Sequence, residues 1–228
     1  MTNRFNMSVL NSGDNWAEKV ADQIIEKYPH LPEYTVAAGI SPSGVVHFGN
    51  FRDVITSYIV KEALIKKGEK AKMIFSWDNF DRMRKVPSGV PESFSEHIGK
   101  ALSKIPDPFG ELNSYAERFQ LPFVEAMRKI GIGIEYRDQT FMYESGCYDE
   151  QIKIAMNKRL DIANVLVSFM TEKAIKDKQI DVEDFKENFY PISVYSSFTG
   201  KDATKILKYD GDMTITYQCL ITKKRRRG

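Results

Sequence analysis

The run Gly39-Ile40-Ser41-Pro42-Ser43-Gly44-Val45-Val46-His47-Phe48-Gly49-Asn50 brings together the residue types that nucleotide chemistry uses. Glycines let the backbone approach a flat base, the first amides of a helix face phosphate, and an imidazole can donate to a developing anion. Ser41 and Ser43 offer hydroxyls to phosphate or to the polar groups of a substrate, while Gly44 keeps the turn tight. His47 falls just before a predicted helix, within reach of phosphates. Gly49 leaves room for an adenine face, and Asn50 is placed to bond ribose or phosphate. The plainer alternative makes Pro-Ser-Gly a simple turn and His47 a satisfied surface histidine. A strand before, a helix after and the His-x-Gly-Asn spacing favour the nucleotide. The run is neither a Gly-x-Gly-x-x-Gly dinucleotide fingerprint nor a Walker loop, since no Gly-Lys-Ser/Thr follows.

The flanking elements must position these groups. Apolar residues at helical spacing predict a helix over Asn15 to Lys27, with Asp14 able to cap it, and Pro29 and Pro32 beyond its end. Tyr34 to Ile40 reads as a buried strand. A helix starting near Gly49 carries Phe51, Val54, Ile55, Tyr58, Ile59 and Leu64 on one face, and Gly68 stops it. Lys72 to Trp77 is a second strand, leading into Asp78-Asn79-Phe80-Asp81-Arg82. This is a βαβ unit with parallel strands, and ligands of such sheets gather at the strands' carboxyl ends. The first loop and the Trp77 to Arg82 segment should therefore share one crevice. Trp77 and Phe75 read as core. Asp78 and Asp81 are both candidates for the site by position, while Asp78 could instead cap the next turn and Asp81 could pair with Arg82 or Arg84.

Downstream, the stretch from Pro87 to Gly110 is too long for a simple connection and reads as a functional excursion. It contains His97, which repeats no motif, and His30 between prolines looks structural. Tyr115 to Lys129 has helical patterning around Pro122, and Gly133 to Arg137 is a third strand. Helical patterning returns from Tyr148 to Met170. Tyr190 to Tyr195 and Met213 to Ile221 look like strands around a loop with Gly200-Lys201-Asp202, whose lysine, like Lys205, suits a solvated turn. The second of these strands needs a partner, or it is an exposed edge.

Composition narrows the class. A 228-residue chain that is 42% hydrophobic and 28% charged is an ordinary globular protein, and a net charge of +2 advertises no global field for nucleic acid. The exception is Lys223-Lys224-Arg225-Arg226-Arg227, which could touch phosphates but reads first as a solvated, disordered tail. Cys147 and Cys219 have no His or Cys beside them at metal-ligand spacing, so no metal site is expected and the thiols should be reduced. No apolar run is long enough to span a membrane, and Met1 to Asn6 lacks a signal peptide's core. The expected compartment is the cytoplasm.

Gly-Ile-Ser-Pro-Ser-Gly-x-x-His-x-Gly-Asn resembles the "HIGH" signature of class I aminoacyl-tRNA synthetases, with Phe48 and Asn50 in place of its isoleucine and last histidine. A narrower resemblance, to the class I lysyl-tRNA synthetases, rests on Ile74-Phe75-Ser76-Trp77-Asp78-Asn79-Phe80-Asp81-Arg82-Met83-Arg84-Lys85-Val86-Pro87. It is reinforced by Glu135 to Thr140, by Tyr143 to Glu150, by Tyr190 to Ser193 and by Thr199 to Ile206, in the family's order.

The resemblance implies an α/β fold, a HIGH-type Rossmann-like parallel sheet with an inserted, partly β connective region, ending before the second half of the nucleotide-binding fold. Residues 1–150 would be the first half of the catalytic domain, and residues 151–228 a helical and connective region ending in a basic tail. It also implies a two-step reaction, in which L-lysine attacks the α-phosphate of ATP with Mg2+ assisting, and lysyl-adenylate then acylates tRNA(Lys). On this chain His47 and Asn50 take the catalytic phosphate and ribose contacts, and Pro42, Ser43, Gly44, His47, Gly49 and Asn50 hold ATP. Gly39 and Ser41 lie where the family meets the amino acid. A lysine's buried ammonium needs a carboxylate, which makes Asp78 a candidate third lysine contact.

Family members continue beyond this chain's length, through the second half of the sheet, the "KMSKS" loop and the anticodon-recognition region. The Lys223 to Arg227 run has neither the Met nor the Ser of that loop. Three readings follow: a lysine–tRNA ligase represented by its N-terminal portion and impaired alone, a non-catalytic remnant or binding module, and another adenylyl-transferring enzyme of the same fold. The lysyl-specific segments disfavour the third.

Overall fold

A computed structural model describes residues 15–177 and 179–228, which divide into two compact units. The first runs up to Glu96 and resumes over Leu102–Phe141; the second comprises His97–Ala101 and Met142–Gly228. The sequence reading placed its division at residue 150.

The first unit is a parallel sheet in the order β1-β2-β3, made of Tyr34–Ile40 (β1), Ala71–Trp77 (β2) and Glu135–Asp138 (β3). Pairing runs in register from Tyr34 opposite Ala71 to Ile40 opposite Trp77, then from Ile74 opposite Glu135 to Trp77 opposite Asp138. Side chains alternate across a strand. Val36, Ala38 and Ile40 therefore share a face with Met73, Phe75, Trp77 and Tyr136, and this face packs on helices Phe48–Lys66 (α2) and Tyr115–Lys129 (α3) through Val54, Phe123 and Met127. Phe75 stacks on Phe123 at 5.2 Å and meets Trp77 edge-on at 4.9 Å, so both aromatics are core, as expected.

Helix Trp16–Lys27 (α1) lays Ala17 and Ala21 against Tyr34, Val60, Ala63 and Leu64. Its cap is Asn15, whose side chain accepts from the Ala17 amide; Asp14, the expected cap, and Met1 to Asn6 lie outside the described residues. The stretch between β2 and α3 folds into two short 3-10 turns, Glu92–His97 and Leu102–Lys104. Leu102 and Ile105 are buried with Met83, Tyr115, Ala116 and Phe119.

The second unit begins with helices Gln139–Glu144 (α4, shared with the first), Asp149–Asn157 (α5), Arg159–Ser168 (α6), Glu172–Asp177 (α7) and Val182–Asn188 (α8). Arg159 ties α6 to α8: its guanidinium donates to the carbonyls of Glu187 at 2.8 Å and Phe189 at 3.1 Å and lies over the Tyr190 ring. An antiparallel sheet follows, Thr204–Tyr209 (β4), Ile215–Cys219 (β5) and Arg225–Arg227 (β6), in that order. The His97–Ala101 segment joins this unit through a bridge between Lys100 and Lys201 and a 2.7 Å bond from the Asp202 amide to the Gly99 carbonyl.

Two expectations change here and one is met. The basic run is a strand rather than a disordered tail, because β5 offers it a ladder: the Cys219 amide donates to Lys224 and the Ile215 amide to Gly228. The strand expected over Met213 to Ile221 is β5, paired on both sides, so it is no exposed edge. Tyr190 to Tyr195 forms no strand. Pro191 has no amide to give a ladder, and the Val194 carbonyl is taken by the Thr204 hydroxyl at 2.7 Å.

Candidate functional site

His47 caps α2 and Asn50 closes the cap. The His47 ring accepts from the Gly49 amide through Nδ1 at 3.1 Å, and Asn50 Oδ1 accepts from the His47 amide at 3.2 Å. Two of the helix's orphan amides are satisfied reciprocally in this way. With Nδ1 accepting, Nε2 is the ring atom left to donate, at the positive end of a 19-residue helix. The ring also fills the space beside Gly49: a Cβ there would meet His47 Cε1 at 2.9 Å. That glycine makes room for the histidine, where the sequence reading had it make room for a base.

The loop before the cap is held from below. Pro42 is buried, the Ser43 amide bonds back to the Ser41 carbonyl at 2.8 Å, and Gly44 packs by Pro87. Tyr115, fully buried at the start of α3, donates its hydroxyl to the Ser43 carbonyl at 2.8 Å. Its burial pushes the phenol up to about 12. Ser43, Val45, His47 and Gly49 face solvent.

Gly39 and Asp78 stand at the carboxyl ends of the adjacent strands β1 and β2. Gly39 pairs with Ser76, where a Cβ would stand 3.0 Å from both the Ser76 Cβ and its carbonyl oxygen. The Asp78 amide donates to the Ile40 carbonyl at 3.0 Å. Asp78 also has a side-chain support absent from the sequence reading: Gln139 Nε2 donates to Ser76 Oγ, and the Ser76 hydroxyl donates to Asp78 Oδ1, each at 2.7 Å. This relay fixes one carboxylate oxygen and leaves Asp78 half-buried beside Gly39. Asp81 is exposed; its backbone carbonyl accepts from Leu102 and its amide donates to the Asp78 carbonyl.

Behind Asp78 lies a buried polar network. Asn79, 2% exposed, donates from Nδ2 to Asp138 at 2.8 Å and accepts through Oδ1 from the Thr140 amide at 2.9 Å. The Thr140 hydroxyl is 3.0 Å from Asn79 Oδ1 and 2.7 Å from Ser103 Oγ, and the Ser103 amide donates to the Asn79 carbonyl. This satisfied network locks the ends of β2 and β3 to the excursion. Sequence reasoning missed Ser76, Asn79, Ser103, Tyr115 and Gln139 to Thr140 as supports. The signal was there for some of them, since parallel register sets Trp77-Asp78-Asn79 beside Asp138-Gln139-Thr140.

A deeper ion pair steadies the base of α3. Arg118 donates to both oxygens of buried Asp107, at 2.9 and 2.6 Å, and Asp107 also accepts the amides of Glu111 and Leu112. The guanidinium holds that carboxyl well below the usual range. Among the described residues no three His, Cys, Asp or Glu side chains cluster as a metal cage. The described groups are thus a helix N-terminus bearing an imidazole Nε2 donor and a strand-end carboxylate, groups suited to a phosphate-bearing ligand and a cation.

The family model of class I tRNA synthetases (K) matches residues 14–227. The chain belongs to this family. Similar curated proteins are named lysine–tRNA ligase: that of Pyrococcus horikoshii is 37% identical over 205 residues, covering 90% of this chain and 38% of the relative. Those of Borreliella burgdorferi and Methanocaldococcus jannaschii are 35% and 36% identical over 90% and 91% of this chain, with 38% and 37% of the relatives covered. The chain thus spans under two fifths of the length of these relatives. It is an α/β synthetase domain with a three-stranded parallel sheet, and among its described residues no helix is long and apolar enough to cross a membrane.

Proposed function

We propose that this chain supplies the ATP- and lysine-facing wall of a lysine–tRNA ligase, which activates L-lysine as lysyl-adenylate and transfers it to tRNA(Lys) in the cytoplasm. The observation that carries this reading is the end of β1 and β2, where Ser76 packs too closely on Gly39 to admit a side chain and its hydroxyl supports the Asp78 carboxylate. An ε-ammonium pairs there with Asp78, whose charge the Ser76 hydroxyl steadies. Gly39 and Ser41 flank the amino acid. Pro42, Ser43 and Gly44 shape the turn under ATP. The His47 Nε2 proton and the first amides of α2 neutralise charge that grows on the α-phosphate in the transition state, and Asn50 keeps the imidazole in that tautomer while its amide faces ribose or phosphate. Asn50 and Gly49 enter this reading through the cap as well as through the nucleotide. Magnesium belongs to it as the counter-ion of the triphosphate, since the described residues offer it no cage.

The test is lysine-dependent exchange of pyrophosphate into ATP by this chain, beside His47→Ala, with calorimetric binding of lysine to the wild type and to Asp78→Asn. Exchange above the His47→Ala level, together with lysine binding lost in Asp78→Asn, supports the reading. Lysine binding without exchange favours a binding module. Absence of both removes the proposal.

A further inference from the structure

The antiparallel sheet of the second unit carries its charge on one side. Lys205 lies opposite Gln218, and Gln218 opposite Arg225; Lys208 lies opposite Thr216, and Thr216 opposite Arg227. Directly opposed residues point to the same face, as do residues two apart on one strand. Thr216 and Gln218, and likewise Arg225 and Arg227, therefore put both rows on a single face.

Lys205 and Lys208 are three apart and would fall on opposite faces of a regular strand. The register shift between Ile206 and Lys208 inserts Leu207 as an extra residue and returns Lys208 to the face of Lys205. The opposite side takes Ile206, Tyr217 and Cys219, and there the Tyr217 hydroxyl accepts from the Ser197 amide at 2.9 Å.

All four cations are exposed, and the two central positions are half-exposed. Among the described residues Arg227 reaches Asp210 at 3.9 Å, while Lys205, Lys208 and Arg225 make no ion pair. Gln218 spends its amide on the Lys223 carbonyl at 3.1 Å, which leaves its oxygen to accept. Ala203 to Gly228 hold seven lysines and arginines and two aspartates, in a chain whose net charge is only +2. Solvated lysines scattered over a surface would not produce this order. Here the charges sit at four corners about 10 Å apart across the strands and about 7 Å along them, with a hydroxyl and an amide oxygen in the middle.

We infer that this face binds the sugar–phosphate backbone of an RNA. Its cations pair with phosphates, and Thr216 and Gln218 meet ribose hydroxyls. A lipid surface suits it less, since none of the six positions offers an apolar group for insertion. The identity of the RNA as a tRNA rests on the proposed function; the location of the face rests on the sheet alone.

Fluorescence anisotropy of a labelled tRNA(Lys) transcript, titrated with this chain at several salt concentrations, tests the inference. In the variant Lys205→Ala/Lys208→Ala/Arg225→Ala/Arg227→Ala, affinity should fall at least about tenfold and the slope of log K against log salt should lose about 3, near 0.7–0.9 per phosphate contact. A control lacking the exposed Lys27, Lys70, Arg128 and Lys129 of the first unit should lose far less. A charge-retaining variant, Lys205→Arg/Lys208→Arg/Arg225→Lys/Arg227→Lys, should keep binding, which separates lost charge from a lost fold. Equal losses in the fourfold and control variants, no binding by the wild type, or binding of phosphatidylserine vesicles in preference to the transcript would each overturn it. Pyrophosphate exchange needs no RNA, so the two proposals fail separately. RNA binding through this face with neither exchange nor lysine binding removes only the proposed function, and exchange with RNA binding indifferent to these residues removes only the face.

Discussion

Tyr115→Phe isolates one hydrogen bond on which the nucleotide loop depends. The tyrosine is fully buried, so its ring stays in place as phenylalanine and only the 2.8 Å bond to the Ser43 carbonyl is lost. Ser43 itself is exposed, so water can replace the missing donor and the loss stays near that of a neutral hydrogen bond, about 1 kcal/mol. In urea the unfolding midpoint should fall accordingly, equivalent to roughly 2–4 °C in Tm. On the proposed function the loop holds ATP and must now be ordered during binding, so the Kd for ATP should weaken by up to about fivefold. Alkali gives a second readout. The unfolded chain ionises its phenol near 10 while the fold holds Tyr115 protonated to about 12, so this residue's contribution is complete below 10 and is lost as pH rises between the two. The variant should therefore unfold less steeply with pH in that window than the wild type. Equal urea midpoints, equal ATP affinity and parallel alkaline profiles would together refute the idea that Tyr115 holds the loop.

Three further outcomes are expected. Ser76→Ala removes the donor to Asp78 and should weaken lysine binding roughly tenfold, the size of a hydrogen bond to a charged group, with ATP binding unchanged by calorimetry. Gly39→Ala forces a Cβ to within 3.0 Å of Ser76, so a loss of about 1–3 kcal/mol in denaturant unfolding and a loss of lysine binding should appear together. For Asp107, whose carboxyl is depressed by Arg118 and by backbone amides, the stabilisation is present above about 4 and lost as pH falls below it. Asp107→Asn should lower the thermal midpoint at neutral pH and flatten its decline below pH 4, as followed by circular dichroism.

Much of the first unit was legible because its periodicities are undisturbed. Apolar spacing marked α1 and α2, short apolar runs bounded by turn residues marked β1 and β2, and a strand–loop–helix run carrying His47 marked the loop that we propose holds the nucleotide. The second unit resisted for stated reasons. Lys205-Ile206-Leu207-Lys208 loses strand alternation at the bulge, and its i, i+3 lysines imitate a helix face. The five-cation run looked like a tail because local repulsion is visible in sequence, whereas the ladder offered by Ile215–Cys219 is not. In the site, Asp78, Gly39 and His47 could be picked by type and position. Tyr115 could not, because it reaches Ser43 across more than sixty residues of chain with no strand register to set them side by side. The packing role of Gly49 went unseen for a different reason: the ring that needs its space is two residues away, but turned back by the cap.

The bridge between Lys100 and Lys201 bears on how the chain folds. Residues 97–101 sit between two halves of the first unit in sequence, yet their hydrogen-bond partners are synthesised about a hundred residues later. Loop-closure entropy makes such a contact late, because every residue of the intervening chain is free until its ends meet. We expect a slow final phase in refolding, in which Gly99 and Lys100 are captured by an already formed second unit. During synthesis that segment waits, unpaired, for the rest of the protein to arrive.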